Sequence, residues 1–244
     1  MANYRSIPYF TASGATQMEI DRWLLEQHSQ NPDLPSVLRF YNWSPAAISL
    51  GYHQRHQPEH WAEIAKTSGL DIVRRPSGGR AVLHQGDLTY SLVTRANLGT
   101  RAQTYRTICE FLIQGLAALG VDLNYGEAGR GYIHNPSCFS ISTDADLIVA
   151  DRRKLIGSAQ VYRKESVLQH GSISIQPDYE LLRQLFGHDV AIVGLSELLI
   201  DRNILGLTAQ LIQVLTTAAA KCFDTEFNIQ PLSAAELSAI EANH

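Results

Sequence analysis

Apolar positions along the chain switch between a helical and a strand-like period, and each switch marks an element. Near the N-terminus Ile20, Trp23 and Leu24 recur at helical spacing, and Thr16 with Glu19 fits a capping box ahead of them. VLRFYNW and AAISLGY then read as short strands separated by Ser44 and Pro45. A second helix is predicted from Pro58 to Lys66, with proline in its first turn. The run IVRRPSGGRAVLHQGDLTYSLVT follows as strand, glycine loop, strand, turn, strand. From Gln103 to Leu119, apolar positions 105, 108, 109, 112, 116 and 119 keep a helical period, and Gly120 sits where that helix would end. Three strand-like runs come next: ADLIV, KLIGSAQVY and SVLQHGSISI. LSELLI and LTAQLIQVLTTAAAKCF turn helical, the latter with apolar positions 207, 211, 215, 218 and 222, and Ser233 with Glu236 caps a last helix. Strands fill the middle and helices the ends, which predicts an α/β chain of the α+β type: a mixed sheet with helices packed on it. No internal repeat or linker divides residues 1–244, so one domain is expected, with a helical C-terminal segment from about residue 195.

Composition narrows the classes. With 244 residues, 45% hydrophobic and 18% charged, the chain is long enough for a core of ordinary size. No run approaches the roughly 20 apolar residues of a membrane span, and MANYRSIPYF lacks the layout of a signal peptide, so a cytoplasmic protein without a membrane partner is expected. A net charge of −4 gives no general pull toward nucleic acid. Three cysteines argue against a disulfide framework and for a reducing compartment. Among the 20 basic residues only 4 are lysine (Lys66, Lys154, Lys164 and Lys221), so a lysine at a chemically suggestive place stands out.

Two of the cysteines, Cys109 and Cys222, fall on apolar helical stripes, where a free thiol behaves as a small hydrophobe. Cys138 belongs to no periodic element and follows the Asn135-Pro136 step, which marks a loop. It is either a loop thiol of no consequence or a nucleophile. Lys154 opens a strand beside Arg152 and Arg153; two cationic neighbours would favour a neutral amine able to act as a base, while the plain alternative is a solvated turn. In RRPSGGRAVLH the glycine spacing matches neither a Walker loop nor a dinucleotide turn. Gly78 and Gly79 could still let backbone N–H groups approach a ligand, or they could form a hairpin turn. His53, His56 and His60 lack the companions of a zinc site, and no metal is expected.

Taken together, RRPSGGRAVLHQGDLTYS, KLIGSAQ and VLQHGSI resemble the biotin/lipoate protein ligase and transferase superfamily, with weaker support from SGATQMEIDRWLL and LRFYNWSPAAISLGYHQ. Within it the chain looks most like the ligase-like octanoyl-[acyl carrier protein]:protein N-octanoyltransferases. Ligases carry a third glycine where this chain has Arg80, whereas the octanoyltransferases carry a cysteine a short way before the K-x-x-G-S-A motif, as Cys138 stands here. A sister amidotransferase, which moves octanoyl between lipoyl-domain proteins, has a cysteine there too. ATP-dependent ligation is the other alternative.

The resemblance implies the superfamily's catalytic-domain fold, a thioester on Cys138, and Lys154 as the base. It places Arg75, Ser77, Gly78, Gly79, Arg80, His84, Gly157, Ser158, Ala159, His170 and Gly171 around the substrate. Octanoyl-acyl carrier protein would be the donor, and a lipoyl-domain protein, such as the glycine cleavage H protein or a dehydrogenase E2 subunit, the acceptor. Because the donor is already a thioester, neither ATP nor a metal is expected. Arg74, Arg75, Arg152, Arg153 and Arg163 are expected to offer both acidic carriers one basic surface on a monomer.

Overall fold

Ser13, three residues earlier than the pattern suggests, starts the first helix: its side chain accepts the Thr16 N–H at 3.2 Å, and the helix is already under way at Gly14. This computed structural model describes residues 4–97, 99–126, 146–187, 190–199 and 206–242. In chain order the elements are β1 (Tyr4–Ala12), α1 (Gly14–Gln30), β2 (Ser36–Trp43), β3 (Ala47–Leu50), α2 (His60–Ser68), β4 (Asp71–Arg74), β5 (Val82–His84), β6 (Asp87–Arg95) and α3 (Arg101–Ala117). They continue as β7 (Asn124–Tyr125), β8 (Asp146–Ile148), β9 (Lys154–Arg163), β10 (Ser166–Ser174), α4 (Tyr179–Phe186), α5 (Leu195–Leu198), α6 (Leu207–Cys222), β11 (Phe227–Ile229) and α7 (Ala234–Glu241).

The main sheet runs β11-β1-β2-β6-β10-β9-β8-β7. β11, β1 and β2 are parallel, and the order from β2 to β7 is antiparallel. Because strand side chains alternate faces, β6 splits its residues between two cores. Leu88, Tyr90 and Leu92 join the large cluster that holds α3 and α6. Val93 packs on the other side with Ile20, Leu24 and Leu25 of α1 and with Leu168 of β10. Gly115 lets α3 and α6 touch, since a Cβ there would lie 2.7 Å from Leu215 Cδ2. On the α1 face, β10 therefore presents Leu168, His170 and Ser172 in turn, and the last two carry polar groups into the interior.

A second sheet, β4-β3-β5, has its own cluster with Trp61, Leu182 and Leu185. β3 lies between β4 and β5, parallel to the first and antiparallel to the second. The segment with Gly78 and Gly79 is therefore not a hairpin turn. It crosses the end of β3, which is why it can face the main sheet.

Several boundaries depart from the pattern. α2 begins at His60 rather than Pro58, whose carbonyl takes the Trp61 N–H, and ends at Gly69 with φ of 65°. α3 begins earlier than Gln103, at a Thr100–Gln103 capping box. β1, β7, α4 and β11 have no counterpart in the periodicity reading, and β11 interrupts the helical C-terminal segment by pairing with β1. The Ser233–Glu236 capping box of α7 is present as expected. No helix among the described residues is long and apolar enough to cross a membrane.

Candidate active site

Between the α1 face of the main sheet and the β4–β5 segment lies a cavity of about 270 Å³. Met18, Tyr41, Trp43 and Val82 give it an apolar side; Lys154, Asp146, His84 and His170 give it a polar one.

The loop wall is held by side chains behind it. Arg75 is buried, at 5% exposure, and is a clamp. Its Nε and Nη2 donate to the Gly78 carbonyl at 3.2 and 2.8 Å, Nη2 also to the Arg80 carbonyl at 2.6 Å, and Nη1 to the Ser49 carbonyl at 2.8 Å. Gly79 has φ of 90°, where a side chain is strained, and a Cβ on Gly51 would lie 1.9 Å from the Gly79 carbonyl oxygen. Gly78 and Gly79 line the cavity, and their amides have no backbone acceptor among the described residues.

Two histidines support this wall, each between a carboxylate and a serine. His84 meets Asp87 Oδ2 at 2.8 Å and Ser49 Oγ at 2.9 Å, and stacks on Trp43 with ring centroids 4.0 Å apart. His170 meets Asp21 Oδ2 at 2.9 Å and Ser77 Oγ at 2.6 Å. Burial pushes the His170 pKa down, against the opposing pull of Asp21 and aided by Arg75 and His84, so the ring is neutral at pH 7. Burial would raise the carboxyl of Asp21, but Arg39 and the bond to His170 outweigh it and hold the group ionised.

The strand wall is different. Lys154 Nζ lies 2.6 Å from Asp146 Oδ1, and both residues are buried. Gly157 makes room for this pair, since a Cβ there would sit 2.8 Å from Lys154 Nζ. Gly171 does the same one strand away: its Cβ would lie 2.6 Å from both the Gly157 carbonyl and Ser158 Oγ.

Of the predicted residues, Lys154, Arg75, Gly78, Gly79, His84, Gly157, Ser158, Ala159, His170 and Gly171 come together on the cavity. Ser77 is fully buried behind it, and Arg80 contributes a carbonyl to the clamp rather than a lining side chain. Cys138 lies outside the described residues. The expected setting of Lys154 needs correcting: the charge beside it is Asp146, while Arg153 turns to Asp151 and Glu197 at 2.8 and 3.1 Å. The shared basic surface needs correcting too, because Arg75 is inside, Arg74 is spent on the carbonyls of Gly51 and Gln54, and Arg163 pairs with Glu26. Cys109 is buried as expected, its thiol pushed up to about 12 by burial, and Cys222 is half-buried. His60 meets the Leu185 carbonyl and His53 packs edge-on against Tyr52; no cluster able to hold a metal occurs among the described residues.

Asp21, Ser49, Asp87 and Asp146 escaped the sequence reading. One signal was available: Gln17, Asp21 and His28 share the buried face of α1 with Leu24, and a polar stripe inside a helix needs partners.

The model of the lipoyl protein ligase A/B catalytic domain matches residues 13–195. The chain belongs to that family. Among curated relatives, Octanoyltransferase LipM of Anoxybacillus flavithermus is 38% identical over 194 residues, covering 75% of this chain and 69% of that protein. Octanoyltransferase LipM of Bacillus subtilis matches with the same identity and coverage. Among solved structures, lipoate-protein ligase A bound with ATP superposes with a TM-score of 0.80 at 20% identity, over 99% of this chain and 94% of that one. The bipartite lipoate protein ligase of Thermoplasma acidophilum gives 0.80 at 20% identity, over 99% and 92%. At that identity the structural likeness establishes the fold, and the mixed sheet with its glycine-loop cavity is the lipoyl ligase catalytic fold.

Proposed function

We propose that this chain is an octanoyltransferase of lipoate biosynthesis, moving octanoyl from octanoyl-acyl carrier protein to the ε-amine of a lysine on a lipoyl-domain protein. The observation that carries the reading is kinship with octanoyltransferases over most of their length, and the cavity's chemistry agrees with it. In the first step the Cys138 thiolate attacks the donor's thioester carbonyl; the new C–S bond replaces the old one and the carrier's thiol leaves with a proton. In the second, the acceptor amine attacks the acyl-Cys138 carbonyl, an amide forms, and the Cys138 thiol is regenerated. Both steps balance without ATP, since the donor is already activated.

In this reading the Lys154–Asp146 pair, at 2.6 Å, relays the protons, from the Cys138 thiol and later from the amine. For the oxyanion, the amides of Gly78 and Gly79 suit better than that of Gly157, which lies in an interior strand paired on both sides. Met18, Trp43 and Val82 offer the alkyl chain an apolar side; six methylenes at about 0.8 kcal/mol each supply roughly 5 kcal/mol.

The test is the intact mass of the protein after exposure to octanoyl-acyl carrier protein alone, without ATP. A gain of one octanoyl group is expected, and none for Cys138→Ser. Acceptor modification that requires free octanoate and ATP would overturn transfer in favour of ligation. Acylation by an octanoylated lipoyl-domain protein but not by the carrier protein would assign the amidotransfer reaction instead.

A further inference from the structure

Asp21, His170 and Ser77 reproduce the order of a serine nucleophile, its base and the carboxylate that orients the base, at 2.9 and 2.6 Å. Access excludes that role for Ser77, which is 0% exposed and does not line the cavity. What the row can do follows from its hydrogen-bond directions. The Asp21 carboxylate only accepts, so His170 carries its proton on Nδ1. The ring is neutral, so Nε2 accepts and the Ser77 hydroxyl donates. The Ser77 carbonyl is fixed as well, accepting the Tyr52 N–H at 2.8 Å, and Arg75 takes the carbonyls of Gly78 and Arg80. With those three carbonyls committed, the amides of Gly78 and Gly79 are left unspent on the backbone, in a segment that lines the cavity.

We propose that Asp21 is a positioning residue: acting through His170 and Ser77, it sets the Gly78–Gly79 segment so that these two amides face the carbonyl being attacked. The role rests on the acyl-transfer reading for its purpose, though not for its geometry. Asp21 is built for such a task. Tyr41 donates to its Oδ2 at 3.1 Å and Arg39 lies 3.3 Å from its Oδ1, so the carboxylate cannot turn without losing two further partners.

Asp21→Asn tests this because the amide must choose. If its oxygen stays toward His170 and Tyr41, its NH₂ points at the Arg39 guanidinium, donor against donor. The reverse placement keeps an oxygen toward Arg39 and presents the NH₂ to His170 Nδ1, which moves the ring proton to Nε2 and leaves the Ser77 hydroxyl without its acceptor. The expected results are a change of His170 tautomer by ¹⁵N NMR and altered shifts and faster exchange at the Gly78 and Gly79 amides. Gly69 and Gly187 should be unmoved. In acyl transfer, kcat should fall by about tenfold or more with donor KM nearly unchanged, the signature of lost transition-state donors. A double-mutant cycle adds the path: Asp21→Asn with Ser77→Ala should lose no more than Ser77→Ala alone.

Glycine amides unmoved in Asp21→Asn would overturn the proposal whether or not the protein transfers acyl groups. So would an unchanged kcat once the tautomer has moved, or losses that multiply in the double variant. A wild-type protein that takes up no octanoyl would sink the transfer reading while the glycine amides still decide this one.

Discussion

The two walls of the cavity bury polar groups by opposite means. On the loop wall the carboxylates of Asp21 and Asp87 stand one residue back, each behind a histidine and a serine, and what reaches the cavity is the two imidazole rings and the glycine backbone. On the strand wall Lys154 and Asp146 meet directly at 2.6 Å and both line the cavity. The first arrangement spreads its electrostatics over many modest hydrogen bonds, any one of which has neighbours to share the load. The second sets two opposite charges in direct contact, and Gly157 makes the room for it. A wall of the first kind suits holding a shape, and one of the second kind suits moving a proton.

The contrast breaks first at the ion pair. Lys154→Ala leaves a buried carboxylate and Asp146→Ala a buried ammonium, and stranding one charge of such a pair costs about 3–5 kcal/mol. Urea unfolding should show losses of that order for each single variant, with the double variant losing clearly less than their sum. If each single variant unfolds at nearly the wild-type midpoint, neither charge depends on the other for its burial.

The loop wall should answer instead to pH. Because burial lowers the His170 pKa below the usual 6.5, the unfolded chain takes up this proton before the folded one does. Stability is thus fully present above that value and is lost as pH falls through it toward the folded pKa. Asp21, Arg75 and His84 are the charged and titratable groups around the ring, and His28, also lowered by burial, titrates in the same window. Midpoints for wild type and His170→Gln, measured between pH 5 and 8, separate the two histidines: the variant should retain only the His28 part of the slope. Parallel slopes would remove His170 from the account.

How much of this was legible in the sequence depended on whether a residue's role was local. Period found the sheet strands β2, β6, β9 and β10 and the helices α1, α3 and α6, because each carries its own apolar face. It missed β1, whose residues alternate weakly around Pro8, and α4, although Leu181, Leu182, Leu185 and Phe186 recur at helical spacing behind an Asp178 cap. The motif residues of the loop and of β9 and β10 line one cavity. Asp146 and Asp21 did not announce themselves, since the first pairs across a bulged two-strand register and the second across 149 residues. For the same reason Lys154 was given the wrong neighbours: Arg152 and Arg153 are adjacent in sequence, but Arg152 sits at φ of 69° and the turn sends Arg153 to the surface.

The smallest effect on folding should come from Gly78, and it separates the loop's frame from its function. A Cβ on Gly78 would meet nothing within 4 Å, whereas one on Gly51 would collide with the Gly79 carbonyl oxygen. Gly78→Ala should therefore leave the unfolding midpoint within about 0.5 kcal/mol of wild type. Yet Gly78 lies where the cavity opens toward the groove between α1 and β9, so the added methyl stands in the approach to the two loop amides. Slower acylation by octanoyl-acyl carrier protein at unchanged stability is the expected outcome. A variant that is destabilised and acylates normally would mean that this glycine serves the frame, as Gly51 does, and that the loop amides are reached from elsewhere.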